Sequence, residues 1–173
     1  PGDPRRTGDK AGFQQFLIDE HNMMADAFRQ IDKKVQFNLN SMNGDVAKLV
    51  MDKPTTLALG GVVAVDHYVS SPEKMKNDLI ELANSSGGNI VLGEFGAPIP
   101  DINGDLTPEE QADLIGKFMD SMSQVPQVIG MNYWTGFGGS TAIWDDNGKP
   151  LPAVGVLTSY FRPKTVNGFI KDY

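Results

Sequence analysis

The sequence predicts an α/β fold of repeated strand–helix units, on three observations. Strand-like and helix-like patterns alternate along the chain. The strands begin near residues 35, 62, 90 and 128, the roughly 30-residue period of βα units with a crossover helix between parallel neighbours. A Gly-x-Gly-x-x-Gly loop leading from the first strand into a helix, as a dinucleotide-binding open sheet requires, is nowhere in the chain. Doubly wound sheets and closed barrels share this element order, and the missing loop favours the barrel.

A leading helix is expected over 12–33, where Phe13, Phe16, Leu17, Met24, Phe28 and Ile31 follow the spacing of one buried helical face. Val35 to Asn40 then alternates strictly, with Val35, Phe37 and Leu39 on one side and Gln36, Asn38 and Asn40 on the other, as a strand does. A helix follows Asn43, interrupted at Pro54. GGVVAVDHYV, from Gly60, is a β-branched strand, and Ser71 and Pro72 supply an N-cap and a first helical residue for the next helix, with Met75, Leu79, Leu82 and Ala83 inward. NIVLGEF is the third strand. Thr107 and Glu110 form a capping box for a helix that buries Leu114, Ile115, Phe118 and Met122. QVIGMNYW is the last strand, and a final helix after Pro152 carries Val156, Leu157, Tyr160 and Phe161.

The chain of 173 residues, 40% hydrophobic, suffices for one domain with a substantial core. Its 15 basic and 22 acidic residues give a net charge of -7, without the basic excess that nucleic-acid binding draws on. No cysteine is present, which excludes disulfides, a thiol nucleophile and thiolate metal ligands. No run approaches the ~20 apolar residues of a membrane-spanning helix. The opening PGDPRRTGDK reads as a polar loop in a cut chain, so an upstream secretory segment would leave no trace. Asn84-Ser85-Ser86 fits a glycosylation acceptor, a triplet common by chance.

In a β/α barrel the carboxyl ends of the strands converge on one mouth, where active sites occur. There the sequence puts Asn38 and Asn40, then Asp66, His67 and Tyr68, then Glu94, then Asn132 and Trp134. Amides, an imidazole, a phenol, a carboxylate and an indole make a set suited to sugars, with flat stacking surfaces and polar groups for hydroxyls. Each also has a plainer account. The two asparagines fit the polar half of a strand, His67 and Tyr68 fit satisfied core residues, Trp134 fits core filling, and Glu94 fits a buried salt bridge. Glu94 raises the sharpest question, because a carboxylate between Gly93 and Gly96 ends an apolar run where valine would have served a strand. Asp101 to Asp105 resembles a calcium loop but has Leu106 where glycine is needed, and the two histidines, His21 and His67, have no zinc spacing, so no metal or other cofactor is expected. Asp145 to Lys149 is a tight turn or hairpin tip.

DHYVS, VLGEFG and MNYWTGFGG, at the ends of successive strands, resemble the last three strands of clan A glycoside hydrolases, most closely endo-acting members of family 5. AIWDDNGKPLPAVGVL is similar to the segment leading into the last helix of such enzymes. The resemblance runs from about Val35 to Phe161. It implies half of a (β/α)8 TIM barrel, strands 5–8 with their helices. It implies a retaining mechanism with Glu94 as nucleophile, Tyr68 in contact with it, Trp134 as the floor of the subsite where the bond breaks, and His67 beside the sugar.

The chain departs from that pattern in one respect that matters. The Asn-Glu-Pro motif carrying the acid/base is absent, Gly2-Asp3-Pro4 echoing it only faintly, although retaining hydrolysis needs two carboxyl groups about 5 Å apart. The expected partners are therefore a poly- or oligosaccharide and either an N-terminal half-barrel or a second copy of this chain, with no nucleic acid or membrane. The resemblance favours an extracellular setting.

Overall fold

A computed structural model describes residues 2–31 and 41–162. Helices α1 (Pro4–Thr7) and α2 (Lys10–Ile31) come first. Strand β1 (Met42–Asn43) is followed by α3 (Gly44–Val50) and α4 (Lys53–Ala58), and β2 (Val62–Asp66) by α5 (Pro72–Ser86). Strand β3 (Asn89–Phe95) is followed by α6 (Pro100–Asn103) and α7 (Pro108–Ser123), and β4 (Val128–Tyr133) by α8 (Pro152–Phe161). The strand expected over Val35 to Asn40, with Asn38 and Asn40, lies outside the described residues.

The four strands form one sheet in the order β1-β2-β3-β4, every neighbouring pair parallel. A doubly wound sheet reverses its strand order at a switch point. This one winds in a single direction, and right-handed crossovers then put every helix on the same face. Between sheet and helices lies the core: Val63 and Val65 of β2 and Ile90, Leu92 and Phe95 of β3, with Met75, Leu79 and Leu82 of α5 and Ile115, Phe118 and Met122 of α7. Each such side chain stabilises by about 1.5–3 kcal/mol on burial. Among the described residues no helix covers the other face, where Val62 and Val91 are half-buried. Four parallel βα units wound one way with one bare face are half of a (β/α)8 barrel, and the bare face is the one a closed barrel encloses.

The helix starts follow the local chemistry. Ser71 Oγ accepts from the Lys74 amide at 3.2 Å with Pro72 in the first turn, and Gly87, at φ +66°, closes α5. Thr107 and Glu110 form the full capping box of α7, with Thr107 N donating to Glu110 Oε2 at 2.8 Å and Glu110 N to Thr107 Oγ1 at 3.3 Å. Pro54 interrupts nothing once Asp52 has started α4, because proline is tolerated in the first turn.

The outer helices depart from expectation. α2 buries Leu17 and Ala25 but leaves Phe16 and Ile31 exposed. Among the described elements it packs on α3 and α4. In α8, Ala153 and Leu157 are buried, whereas Phe161 is exposed and Tyr160 bonds Asp120 at the surface.

Candidate functional site

Two breaks in strand register set the site. In β3, Ile90, Leu92 and Phe95 are buried, a spacing of two and then three, because the pairing with β4 shifts between Leu92 and Phe95. Strict alternation would send Glu94 into the helix-side core with Ile90 and Leu92. The irregularity hands the core position to Phe95 and leaves Glu94 half-buried at the carboxyl end of the strand. A second shift, between Val65 and Asp66, brings Asp66 into register with Glu94 on the neighbouring strand.

The Tyr68 hydroxyl donates to Glu94 Oε2 at 3.0 Å. Burial first, and the Glu94 carboxylate second, push the phenol well above its ordinary value, so it stays a protonated donor. Among the described residues no cation pairs with Glu94.

The flanking glycines have a steric cause. A Cβ on Gly96 would stand 2.1 Å from the Trp134 carbonyl oxygen, and one on Gly93 would stand 2.3 Å from Ser41 Oγ and 2.7 Å from Asp66 Oδ1. Gly96 thus lets the chain leaving β4 approach the chain leaving β3. Gly93 leaves room for Ser41 Oγ to donate to Asp66 Oδ1 at 2.5 Å.

His67 makes its hydrogen bond away from Glu94. Its ring is buried in the helix layer, Nε2 lying 2.9 Å from Asp78 Oδ2, and its Nδ1 occupies the space a side chain at Gly44 would fill. His67 shares parity with the buried Val63 and Val65, and Tyr68 with Asp66, so most of the His67 ring faces Asp78 while its remaining surface lines the cleft beside Tyr68. Asp78 also receives Lys48 Nζ at 2.7 Å and Lys74 Nζ at 2.8 Å. Burial alone would raise the Asp78 carboxyl, but these donors and His67 outweigh it and hold it at about 2. Burial lowers His67 below its ordinary value, against the pull of Asp78.

Trp134 follows β4 directly and is 55% exposed among the described residues. Asn132 is exposed on β4. The loops bearing Trp134 and following Glu94 are tied together. The Tyr133 hydroxyl lies 2.9 Å from the Ala97 carbonyl and 2.8 Å from that of Thr141, and buried Gln111 donates to Ala97 O at 2.9 Å and Ala142 O at 3.1 Å. Ser140 Oγ donates to Pro98 O at 2.8 Å. Burial pushes the Tyr133 phenol up to about 12, which keeps that donor in place.

Beside Tyr68 lies a cleft of about 440 Å³, lined also by His67, Asn43, Asp45, Asp66, Lys74 and the apolar Val69, Ile99 and Ile102. Sequence reasoning placed Asp66 at the mouth without a role and missed Ser41, which only the sheet brings to it. Asp3 caps α1 and pairs with Arg5 Nη2 at 2.7 Å, and the Arg5 hydrogen bonds hold it ionised, at about 2. That is the wrong state for a proton donor. Among the described residues no group of histidines and carboxylates could hold a metal ion. What the arrangement offers is one oriented carboxylate, a phenol donor and an exposed indole at the carboxyl ends of three adjacent strands.

No protein-family model and no curated protein sequence matches the chain. Among solved structures, the β-D-glucuronidase of Dictyoglomus thermophilum is similar at a TM-score of 0.50 and 20% identity, over 64% of this chain and 24% of that one. The β-glucuronidase of an uncultured Clostridium sp. reaches a TM-score of 0.46 at 20% identity over 58% of this chain and 22% of that one, and the Ruminococcus gnavus enzyme 0.48 at 13% identity over 62% and 23%. The chain therefore spans about a quarter of the length of these glycosidases. The first likeness bears on fold alone, and it agrees with the half (β/α)8 barrel that strand order and bare face describe.

Proposed function

We propose that this chain is the strand 5–8 half of a retaining glycoside hydrolase, similar to family 5 endo-glycanases, acting on β-linked polysaccharide of the cellulose, mannan or β-glucan type. Glu94 is the nucleophile. Its carboxylate attacks the anomeric carbon, the glycosidic C–O bond breaks, and a glycosyl ester forms on Glu94. Tyr68 orients the attacking carboxylate, and Trp134 stacks on the sugar where the bond breaks. The proton for the leaving oxygen comes from a second carboxyl group supplied by the other half of the barrel, a separate half-barrel or a second copy seated on the bare sheet face and the open edge of β4.

The observation that carries the reading is Glu94 itself, displaced from the core register and held by Tyr68 at the carboxyl end of a barrel strand. A fluorogenic aryl β-glycoside tests it, because a good leaving group departs without protonation. The chain alone should release about one equivalent of fluorophore in a burst, since deglycosylation lacks its base, and Glu94→Gln should release none. A second reading is favoured by the exposure of Trp134: a half-barrel that grips carbohydrate without cutting it, which would bind β-glucan or mannan and show no burst.

A further inference from the structure

The loop after β4 holds a second aromatic surface that the proposed chemistry does not use. The Phe137 ring stacks on Trp144, centroids 5.9 Å apart and planes 25° from parallel, and Phe137 is 65% exposed. A lone exposed ring needs no explanation, but this pair is braced. Ile143 N and Trp144 N both donate to Gly136 O, at 3.2 and 3.1 Å, and Trp144 bridges to Pro150 across the Asp145–Lys149 turn. Gly138 and Gly139, both at φ +76°, turn the chain just after Phe137 in a backbone region that side-chain-bearing residues avoid. Ser140, Asp146 and Asn147 are exposed around the same loop. The outcome is a flat apolar face, fixed in advance and rimmed by polar groups, with little ordering cost left to binding.

We propose that Phe137, backed by Trp144, is a second stacking platform that takes a pyranose unit of the same β-linked glycan chain whose reacting sugar lies on Trp134. A sugar with equatorial substituents presents a flat C–H face edged by hydroxyls, which matches an aromatic plane with polar neighbours. Phe137 lies three positions beyond Trp134, so their Cα atoms are at most about 11 Å apart, within reach of one glycan with a sugar on Trp134 and the next unit but one on Phe137. The ligand class rests on the proposed function. It makes the site one for extended chains, since a disaccharide on Trp134 leaves the platform empty.

The chain has two tryptophans, Trp134 and Trp144, so Trp134→Phe leaves Trp144 as the sole indole reporter. Calorimetric titration of the Glu94→Gln chain with cellohexaose and mannohexaose, and with the corresponding disaccharides, is the test. Adding Phe137→Ala should weaken binding of one or both hexasaccharides about three- to tenfold and leave the disaccharides unchanged. Phe137→Tyr should restore the affinity, and Trp144 fluorescence in the Trp134→Phe chain should shift with the hexasaccharide. Equal hexasaccharide affinity with and without Phe137, an equal loss for the disaccharides, or no binding of either hexasaccharide overturns the platform. The two proposals fail separately. Phe137-dependent binding without a glycosyl ester on Glu94 would sink the hydrolase, and ester formation with Phe137-independent binding would sink the platform.

Discussion

The Tyr68 hydroxyl lies 3.0 Å from Glu94 Oε2 and is the carboxylate's hydrogen-bond donor among the described residues. A charged hydrogen bond of this kind contributes about 1.5–3 kcal/mol. If it orients the nucleophile, Tyr68→Phe should slow formation of the glycosyl ester about tenfold or more, followed by intact mass against time. The melting temperature should change little, because Tyr68 is half-buried and phenylalanine keeps its ring.

Gly96→Ala should be far more damaging than its size suggests. The added methyl meets a backbone carbonyl, that of Trp134, which cannot turn aside, so a cost of about 2–3 kcal/mol is expected in urea unfolding. Gly93→Ala meets the side chains of Ser41 and Asp66, which can swing away. It should cost less and show its effect as loss of the Ser41–Asp66 hydrogen bond.

Acid stability should track Asp78. Its folded carboxyl sits at about 2, below the unfolded value near 3.9, so its contribution is complete above about pH 4 and is lost as pH falls toward 2. The loss amounts to about 2 kcal/mol, and Asp78→Asn should flatten the stability profile in that window. His67 acts at higher pH. Burial depresses its folded value, so the unfolded chain takes up a proton first, and stability should decline as pH falls below about 6.5 until the folded ring protonates. His67→Gln should remove that upper slope, read from chemical denaturation at a series of pH values.

Much of this was legible in the residues. Ser71-Pro72 and the Thr107–Glu110 box announce their helices because capping is local chemistry, and the roughly 30-residue spacing of strands announces parallel βα units. The burial of His67 was legible too, since it shares parity with Val63 and Val65. The register shift that frees Glu94 was not. A bulge is a relation between two strands, and one strand's alternation cannot show it. Nor can the sequence reveal that Gly93 makes room for Ser41 and Asp66, or that Gln111 of α7 ties the two loops at the mouth. The exposure of Phe16 escaped for the same reason, because an apolar periodicity shows that a face wants cover and not how much of it is covered.

The bare sheet face gives a prediction of its own. With Ile129 exposed on β4 and β4 at the edge of the described sheet, the chain should associate, and light scattering should return twice the mass of one chain or more. Ile129→Lys should shift that species toward the single chain. A monomer at all accessible concentrations would exclude completion of the barrel by a second copy and leave a separate half-barrel as the partner.

Whether Glu94 is a nucleophile is decided most directly by incubating the chain with activated 2-deoxy-2-fluoro β-glycosides of glucose and mannose and mapping the adduct by peptide mass spectrometry. The account predicts a gain of one fluoroglycosyl unit on the peptide containing Glu94, lost in Glu94→Gln. No adduct with either probe, or an adduct that persists in Glu94→Gln, would contradict it.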